Sequence, residues 1–165
     1  MVKLILAIIL TSTLLLAKTQ KSYYPDGTIK SATSYKNGKR DGIEHIYYPD
    51  GATLKFAKPY VNDKVHGIVQ AYTESAMLKY ETPYRHGLLD GRSRYYDKNG
   101  LLKAEIDYKK GLKDGAMRLF YPTGLLKIET FWKKGKLLSG YKLSQIGIKK
   151  SFNSDEIEIF FNANK

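Results

Sequence analysis

The sequence predicts an all-β protein, an elongated single-layer antiparallel array of about five tandem β-hairpin repeats with a C-terminal capping segment. Two observations predict this fold. Apolar and polar residues alternate in short runs, as from Leu102 to Tyr108, which is the pattern of a half-buried strand. A glycine-bearing turn then leads into a second extended run. Because this unit recurs every 24 or 25 residues, the chain has the signature of a repeat architecture.

Residues 1–17 differ from the rest and are predicted to be a secretory signal peptide. A basic start at Lys3 precedes an apolar run that ends near the small residue Ala17, where cleavage is expected. An uncleaved anchor is the weaker alternative, because a membrane span needs about 20 continuous apolar residues and this run is shorter. We therefore expect an exported protein that is periplasmic, on the cell surface or secreted. Residues 18–22 are interpreted as a short leader.

Residues 23–141 are predicted to hold the five repeats. Each repeat has an aromatic residue before its turn, an aliphatic residue six positions earlier and a lysine five positions earlier. The aromatic residues are Tyr35, Tyr60, Tyr84, Tyr108 and Trp132. The aliphatic residues are Ile29, Leu54, Leu78, Leu102 and Leu126. After each turn comes a second glycine: Gly42, Gly67, Gly91, Gly115 and Gly140. Since glycine adopts positive φ without the usual steric cost, these glycines are expected at turns or bulges.

Strand alternation predicts which side chains share a face. The aliphatic and aromatic rows are expected together on the buried face, where they form ladders of cross-strand pairs. The lysine row is expected on the opposite face as a candidate binding surface, and it consists of Lys30, Lys55, Lys79, Lys103 and Lys127. Glu81, Glu105 and Glu129 follow two residues after the last three lysines and are expected to neutralise them in part. The plainer interpretation is a solvated face that keeps the sheet soluble.

The repeat unit Tyr-Tyr-Pro-Asp-Gly-x-Ile/Leu-Lys-x-x-x-x-Tyr-Lys-x-Gly-x-x-x-Gly resembles the bacterial variant of the MORN repeat, the type often labelled YwqK-like antitoxin. The resemblance covers residues 23–141, although the third copy has Thr73-Glu-Ser-Ala in place of the Pro-Asp-Gly turn. It implies a single layer of antiparallel hairpins used for protein association or for contact with membrane surfaces. The signal peptide disfavours an antitoxin role. In composition the chain also resembles the choline- or glucan-binding solenoids, but those stack tryptophans and this chain has only Trp132.

The tail, residues 142–165, is interpreted as a C-terminal cap that has lost the repeat. Its aliphatic and phenylalanine residues are too numerous for a disordered end, and terminal repeats usually need a cap. Alternation from Glu156 onward fits a strand, while Ser154 followed by two acidic residues fits the start of a short helix. A partner-binding peptide is the alternative to a cap.

The residues that could carry chemistry form no convergent site, so no catalytic residue, cofactor or metal is predicted. His45, His66 and His86 stand at different offsets in the repeat, which gives no metal-ligand spacing. Asp41, Asp90 and Asp114 recur directly before the second glycine. This recurrence indicates turn capping, because a catalytic base or a calcium site would need several different groups at one place.

Composition narrows the function without identifying the partner. Lysine and arginine number 28 against 16 acidic residues, and the net charge of +12 favours anionic neighbours. The chain has no cysteine, so neither a disulfide nor a thiolate metal site is available. We expect a non-enzymatic exported scaffold that mediates protein association at the cell envelope. The alternative is a binder of anionic lipid or glycan surfaces, and a repeat-bearing enzyme comes last; nucleic acid is not expected as a partner.

Overall fold

The chain forms one open antiparallel sheet of fourteen strands in a computed structural model that describes residues 17–152 and residue 156. The predicted all-β hairpin array is confirmed. The strands are β1 (Lys18–Tyr23), β2 (Ile29–Lys36), β3 (Lys39–Tyr47), β4 (Leu54–Val61), β5 (Lys64–Val65), β6 (Gly67–Tyr72), β7 (Leu78–Arg85), β8 (Leu88–Leu89), β9 (Gly91–Tyr96), β10 (Leu102–Lys109), β11 (Leu112–Phe120), β12 (Leu126–Lys133), β13 (Lys136–Leu143) and β14 (Lys149–Phe152). Apart from Ala17, the predicted signal peptide lies outside the described residues.

Each predicted repeat is one hairpin, and successive hairpins pair side by side. The hairpins are β2–β3, β4–β5/β6, β7–β8/β9, β10–β11 and β12–β13. The short strands β5 and β8 are the first residues of two returning strands, which are interrupted at His66 and Asp90 before they continue as β6 and β9. Within the described part of the chain, no helix is long and apolar enough to cross a membrane.

At its N-terminal end the array is longer than predicted, because residues 18–22 lie in a strand. Strand β1 pairs with β2, from Lys18 opposite Tyr35 to Tyr23 opposite Ile29. The turn that follows repeats the Tyr-Tyr-Pro-Asp-Gly sequence found between the first and second hairpins. Strand β1 is therefore the returning strand of an incomplete repeat. Its polar sequence, with all six residues exposed, gave no strand signal.

The C-terminal end is also longer than predicted, because the tail continues the repeat as far as Phe152. Strand β14 pairs with β13, and Gly140 lies opposite Phe152 as Gly115 lies opposite Trp132. The turn between these strands has the same hydrogen bond as earlier turns, from the Gly147 amide to the Ser144 carbonyl at 3.0 Å. The prediction that residues 142–152 have lost the repeat is wrong. The choice between strand and helix after Phe152 falls outside the described residues, except for Glu156.

A bulge at the start of each hairpin changes the predicted faces. Leu102 pairs with Tyr96 and Ala104 pairs with Tyr95, so Lys103 is an extra residue on β10. One extra residue reverses the alternation, so Leu102 does not share the face of Ala104 and Tyr108. The same shift occurs in the other four hairpins. The prediction that the aliphatic and aromatic rows share one face is therefore wrong, and the aliphatic row instead pairs with Tyr23, Tyr47, Tyr72, Tyr96 and Phe120.

Most of the buried side chains lie in two neighbouring rows on one face of the sheet. We call this face the aromatic face, because it also carries Tyr60, Tyr84, Tyr108 and Trp132. One row contains Thr33, Val69, Thr82, Ser93 and Thr130, and the row beside it contains the buried residues Ala71, Ala104 and Ile128. Ser93 is 0% exposed and Thr130 is 1% exposed. The Trp132 ring reaches this row, since its Nε1 donates a hydrogen bond to Oγ1 of Thr130 at 2.8 Å.

The second glycine of each repeat allows the returning strand to pass close to its neighbour. Gly91 has φ +119, and a Cβ atom there would lie 2.9 Å from Cγ of Pro83. Gly42, Gly67 and Gly115 have positive φ and a similarly close neighbour, which confirms the predicted role. Gly140 is not among the glycines with positive φ. In its hairpin Leu138 is the single extra residue opposite Phe131 and Trp132.

Gly91→Ala tests this close approach. We expect a loss of about 1–3 kcal/mol in the free energy of unfolding, since the substitution adds a clash to the cost of positive φ. The control is Gly38→Ala, where φ is +75 but no atom lies within 4 Å of the added Cβ. Urea unfolding followed by far-ultraviolet circular dichroism measures both variants. Equal losses in the two would show that backbone conformation alone explains the glycine.

Candidate functional site

Tyrosines join the turns that connect successive repeats, and these turns form one edge of the sheet, here called the turn edge. The turn tyrosines are Tyr24, Tyr48 and Tyr121. Each hydroxyl donates a hydrogen bond to the backbone carbonyl that ends the next returning strand. The pairs are Tyr24 with Tyr47, Tyr48 with Tyr72 and Tyr121 with Leu143, at 2.8, 2.8 and 3.0 Å. Each bond ties one repeat to the next. The repeated Tyr-Pro sequence was visible, but this role was not predicted.

The lysine row lies beside the turn edge, and all five lysines are the extra residues of the bulges. Lys30, Lys55 and Lys127 place Nζ over the rings of the turn tyrosines at 5.8, 5.2 and 5.4 Å from the ring centroids. Such contacts are worth about 0.5–1 kcal/mol at exposed sites. Lys79 and Lys103 lack this ring, because the residues at the tyrosine position are Thr73 and Asp97.

The glutamates expected to neutralise the lysine row instead pair with arginines. We call this series the ion-pair ladder, because its members lie directly opposite one another on β7, β9, β10, β11 and β12. Its members are Glu81, Arg94, Glu105, Arg118 and Glu129. The N–O distances along it are 3.0, 3.0, 3.8 and 2.6 Å. Among the described residues no ion pair involves the lysine row, so the predicted neutralisation is wrong.

The ladder is partly shielded from water, which strengthens its ion pairs. The side chains of Glu105 and Glu129 are only 13% and 10% exposed. Hydrogen bonds from Glu81 and Glu105 raise the pKa of Arg94 above its usual value. The Tyr141 hydroxyl donates to Glu129 and ends the series on β13. The ladder was not predicted from sequence because the arginines of the returning strands were not considered as partners of the glutamates.

Towards the N terminus the same face, here called the ladder face, becomes apolar. The row that holds the ladder continues from Glu81 through Gln70, Ala57, His45 and Ala32. Beside it lie four residues that form two cross-strand pairs, and we call them the apolar patch: Ile43 with Pro59 and Ile68 with Pro83. Ile68 is 54% exposed. The ladder face is therefore charged in its C-terminal half and apolar in its N-terminal half.

On the aromatic face, cations and tyrosines cover the core. The guanidinium of Arg40 lies 4.2 Å from the ring centroid of Tyr60, and Nζ of Lys113 lies at the same distance from that of Trp132. Burial lowers the pKa of Lys113. Burial, assisted by Tyr95, raises the pKa of Tyr108 to about 12.

The edge formed by the turns inside the hairpins is held by aspartates, as predicted, but each one caps the turn of the next repeat. The carboxylates of Asp41, Asp90 and Asp114 accept hydrogen bonds of 3.3 Å from the backbone amides of Asn62, Lys110 and Lys134. In the second repeat His66 occupies the position of the aspartate. The centroid of its ring lies 4.9 Å from the ring centroid of His86, which belongs to the turn of the next repeat. The described residues hold no cluster of three or more potential metal-binding side chains.

Two grooves open along the turn edge. The larger has a volume of about 540 Å³ and is lined by Tyr48, Thr73, Glu74, Ser75, Lys79, Tyr96, Asp97 and Lys98. The smaller has a volume of about 280 Å³ and is lined by Asp97, Leu101, Leu102, Lys103, Phe120, Tyr121, Pro122 and Lys127. The larger groove is lined by residues of three successive turns and the smaller by residues of two. Sequence reasoning did not predict either groove, although the altered third turn was noticed.

Comparison with known families identifies the repeat. The model of the MORN repeat variant matches residues 18–37 and 89–110. The first match covers β1 and β2, and it begins in the segment that was interpreted as a leader. The second covers β9 and β10. Among curated proteins, none matches the chain.

Removing one arginine from the ion-pair ladder should destabilise the sheet. Arg118→Met would leave the carboxylates of Glu105 and Glu129 partly buried with fewer hydrogen-bonding partners, and we expect a loss of about 1–3 kcal/mol. Arg85→Met is the control, because Arg85 is exposed and makes no ion pair among the described residues. Urea unfolding compares the two variants. A similar loss in both would contradict a stabilising ladder.

Stability should fall in acid through Asp107. Burial alone would raise the pKa of this carboxyl, but hydrogen bonds from Arg92 and the Ala116 amide outweigh it, and the pKa is lowered. A group whose pKa is lower in the folded state stabilises the fold above its unfolded pKa of about 3.9. That contribution is lost as the pH falls through the folded pKa.

We therefore expect Asp107→Asn to lower the free energy of unfolding at pH 7 and to make it less dependent on pH below 4. Asp97→Asn is the matched control, because asparagine retains the side-chain oxygen that accepts from the Asn99 and Leu101 amides. Urea unfolding between pH 2.5 and pH 7 gives both values. An unchanged acid dependence in Asp107→Asn would exclude this residue as a cause.

Proposed function

We propose that this chain, which carries MORN repeats of the variant type, is a non-enzymatic exported scaffold for protein association at the cell envelope. MORN repeats are generally associated with binding to proteins or to membrane lipids. Export rests on the signal-peptide pattern of residues 1–17. The feature that favours a protein partner lies on the ladder face.

The observation that carries the proposal is the absence of a second layer over the described sheet. Few of the described apolar residues are buried in it: Tyr60, Val69, Ala71, Ala104, Ala116 and Ile128. Sheets that bury little within their own chain leave long surfaces for other molecules, and contiguous exposed apolar patches often mark binding sites. A repeat array presents such a surface along its whole length.

The apolar patch is the part of that surface best suited to a protein partner. Ile43 and Ile68 are exposed, and the neighbouring Ala32 and Ala57 leave the centre of this half of the face without charge. Covering the patch removes apolar area from water at about 25 cal/mol per Å². Covering the charged half would instead require the ion-pair ladder to lose water. We therefore place the partner over the N-terminal repeats.

A second candidate is an anionic lipid or glycan surface that meets the lysine row. The observation that favours it is the lack of ion pairs to these five lysines among the described residues, in a chain of net charge +12. Successive lysines are two strands apart, which is about 10 Å. Binding through exposed charges would weaken as salt rises, because the Debye length falls to about 8 Å at 0.15 M.

Photocrosslinking in intact cells, followed by identification of the attached protein, tests the proposed scaffold. We expect Ile68→Asp to lose its crosslinked partner, because a carboxylate would be placed in the apolar patch. Leu138→Asp is the matched control, with 57% exposure compared with 54% for Ile68. Circular dichroism confirms that both variants fold.

Two results would overturn the choice of partner. If Ile68→Asp retains the crosslinked protein, the apolar patch is not the binding surface. If no protein is captured, and the chain sediments with anionic liposomes or cell-wall polymer at low salt but not at high salt, the second candidate is supported. The Lys55→Gln/Lys79→Gln/Lys103→Gln variant should then lose sedimentation.

A further inference from the structure

The two grooves lie at the two turns that lack a turn tyrosine. Successive turns carry, at the same position, Tyr24, Tyr48, Thr73, Asp97 and Tyr121. Thr73 lines the larger groove and Asp97 lines both. Where tyrosine is present, its ring occupies the space between one turn and the next. Because threonine and aspartate are shorter, this space is open at the third and fourth turns.

The third and fourth turns lack the turn tyrosine but keep the carbonyl and the lysine that would contact it. At the other turns the acceptors are the backbone carbonyls of Tyr47, Tyr72 and Leu143. The equivalent carbonyls at the third and fourth turns belong to Tyr96 and Phe120. No described side chain donates a hydrogen bond to either of them. Tyr96 and Phe120 line the larger and smaller groove respectively. The lysines that would lie over the missing rings, Lys79 and Lys103, also line these grooves. Each groove therefore combines space for a ring, a hydrogen-bond acceptor and a cation.

We propose that the two grooves bind tyrosine side chains presented by a partner polypeptide, each of which takes the place of the missing turn tyrosine. This proposal rests on the proposed scaffold function and names the chemistry of the partner. The chain itself shows that a phenol fits such a site. At Tyr48 the hydroxyl donates at 2.8 Å to the carbonyl of Tyr72, and Lys55 lies over the ring at 5.2 Å.

Other ligand classes match the grooves less well. Phenylalanine would fill the space but has no donor for the carbonyl, which costs about fivefold in affinity for one net hydrogen bond. An anion would meet Lys79 and Lys98 in the larger groove, but it would also meet the carboxylates of Glu74 and Asp97. A neutral aromatic ring with a hydroxyl group avoids this repulsion and satisfies both the carbonyl and the lysine.

The spacing of the grooves predicts the spacing of the tyrosines. The third and fourth turns are one repeat apart, which is two strand separations or about 10 Å. A polyproline II segment has three residues per turn and rises about 3.1 Å per residue, so side chains three positions apart lie on the same side at about 9 Å. A partner segment of the form Tyr-x-x-Tyr in this conformation would reach both grooves.

The test uses the ¹⁵N-labelled protein and an acetylated, amidated Tyr-Pro-Pro-Tyr peptide. We expect backbone amide shifts at residues 73–79 and 97–103. The same peptide with both tyrosines replaced by phenylalanine should bind about 25-fold more weakly, since each ring loses one hydrogen bond worth about fivefold. Equal affinity for the two peptides, or shifts confined to other regions, would overturn the proposal.

A variant whose own tyrosines fill both grooves provides a second test. Thr73→Tyr/Asp97→Tyr should restore the tyrosine series and abolish the peptide-induced shifts. Gln145→Tyr is the control, because it adds a tyrosine at an exposed turn position away from both grooves. Peptide binding that survives in the double variant would place the peptide elsewhere.

Two further measurements separate this proposal from the scaffold function and from self-association. If the double variant keeps its crosslinked partner in cells, the grooves are not the recognition site, while the scaffold function stands. If the protein instead associates with itself as its concentration rises, and only the double variant stays monomeric in sedimentation velocity, the tyrosines come from a second copy and the proposed partner is wrong.

Discussion

The constraint on which the structure depends is that each repeat can bury its apolar side chains only beneath its own rings and against the repeats on either side. No described layer covers the sheet, so contacts that cross from one repeat to the next hold the array together. Turn tyrosines such as Tyr48 do this at one edge, and aspartates such as Asp90 do it at the other. The ion-pair ladder joins the strands between them. The turn tyrosines, the aspartates and the ion-pair ladder all contact backbone groups or charges that recur at a fixed position in each repeat. This explains the constant repeat length.

The repeat itself, its five aromatic positions and the turn role of most second glycines could be predicted from sequence. The faces could not, because strict alternation was assumed through Lys103 and the bulge there reverses it. Strands β1 and β14 were missed because their polar or lysine-rich sequences lack alternating apolar residues. The ladder was missed because its acids were matched to nearby lysines in sequence, although Arg94 and Arg118 lie opposite them in the sheet. Register decides these pairings, and a single sequence does not specify it.

The repeats are alike in backbone and different in surface, and this difference is where function can reside. The ladder face changes from apolar at Ile43 to charged at Glu105 without any change in strand geometry. The turn edge changes in the same way, since Thr73 and Asp97 alter the space between turns but leave the turns in place. Substitutions at such positions change the surface without changing the pairing of the strands, although Thr73 and Asp97 also accept hydrogen bonds from backbone amides of their own turns. The two outermost strands of the described sheet carry positive charge, with Lys18 and Lys21 on β1 and Lys149 and Lys150 on β14, and such charge opposes the pairing of strand edges.

The pairing of every strand with its neighbours in sequence has a consequence for how the chain acquires its structure. All contacts in the main path of the sheet join residues that are close along the chain. Folding of such low contact order is fast and can start at any hairpin. The first hairpins can therefore form while later ones are still being synthesised, and each new strand adds to a template that already exists. Growth in this order pairs each new strand with the strand before it, which shortens the time during which its inner edge stays unpaired and could aggregate.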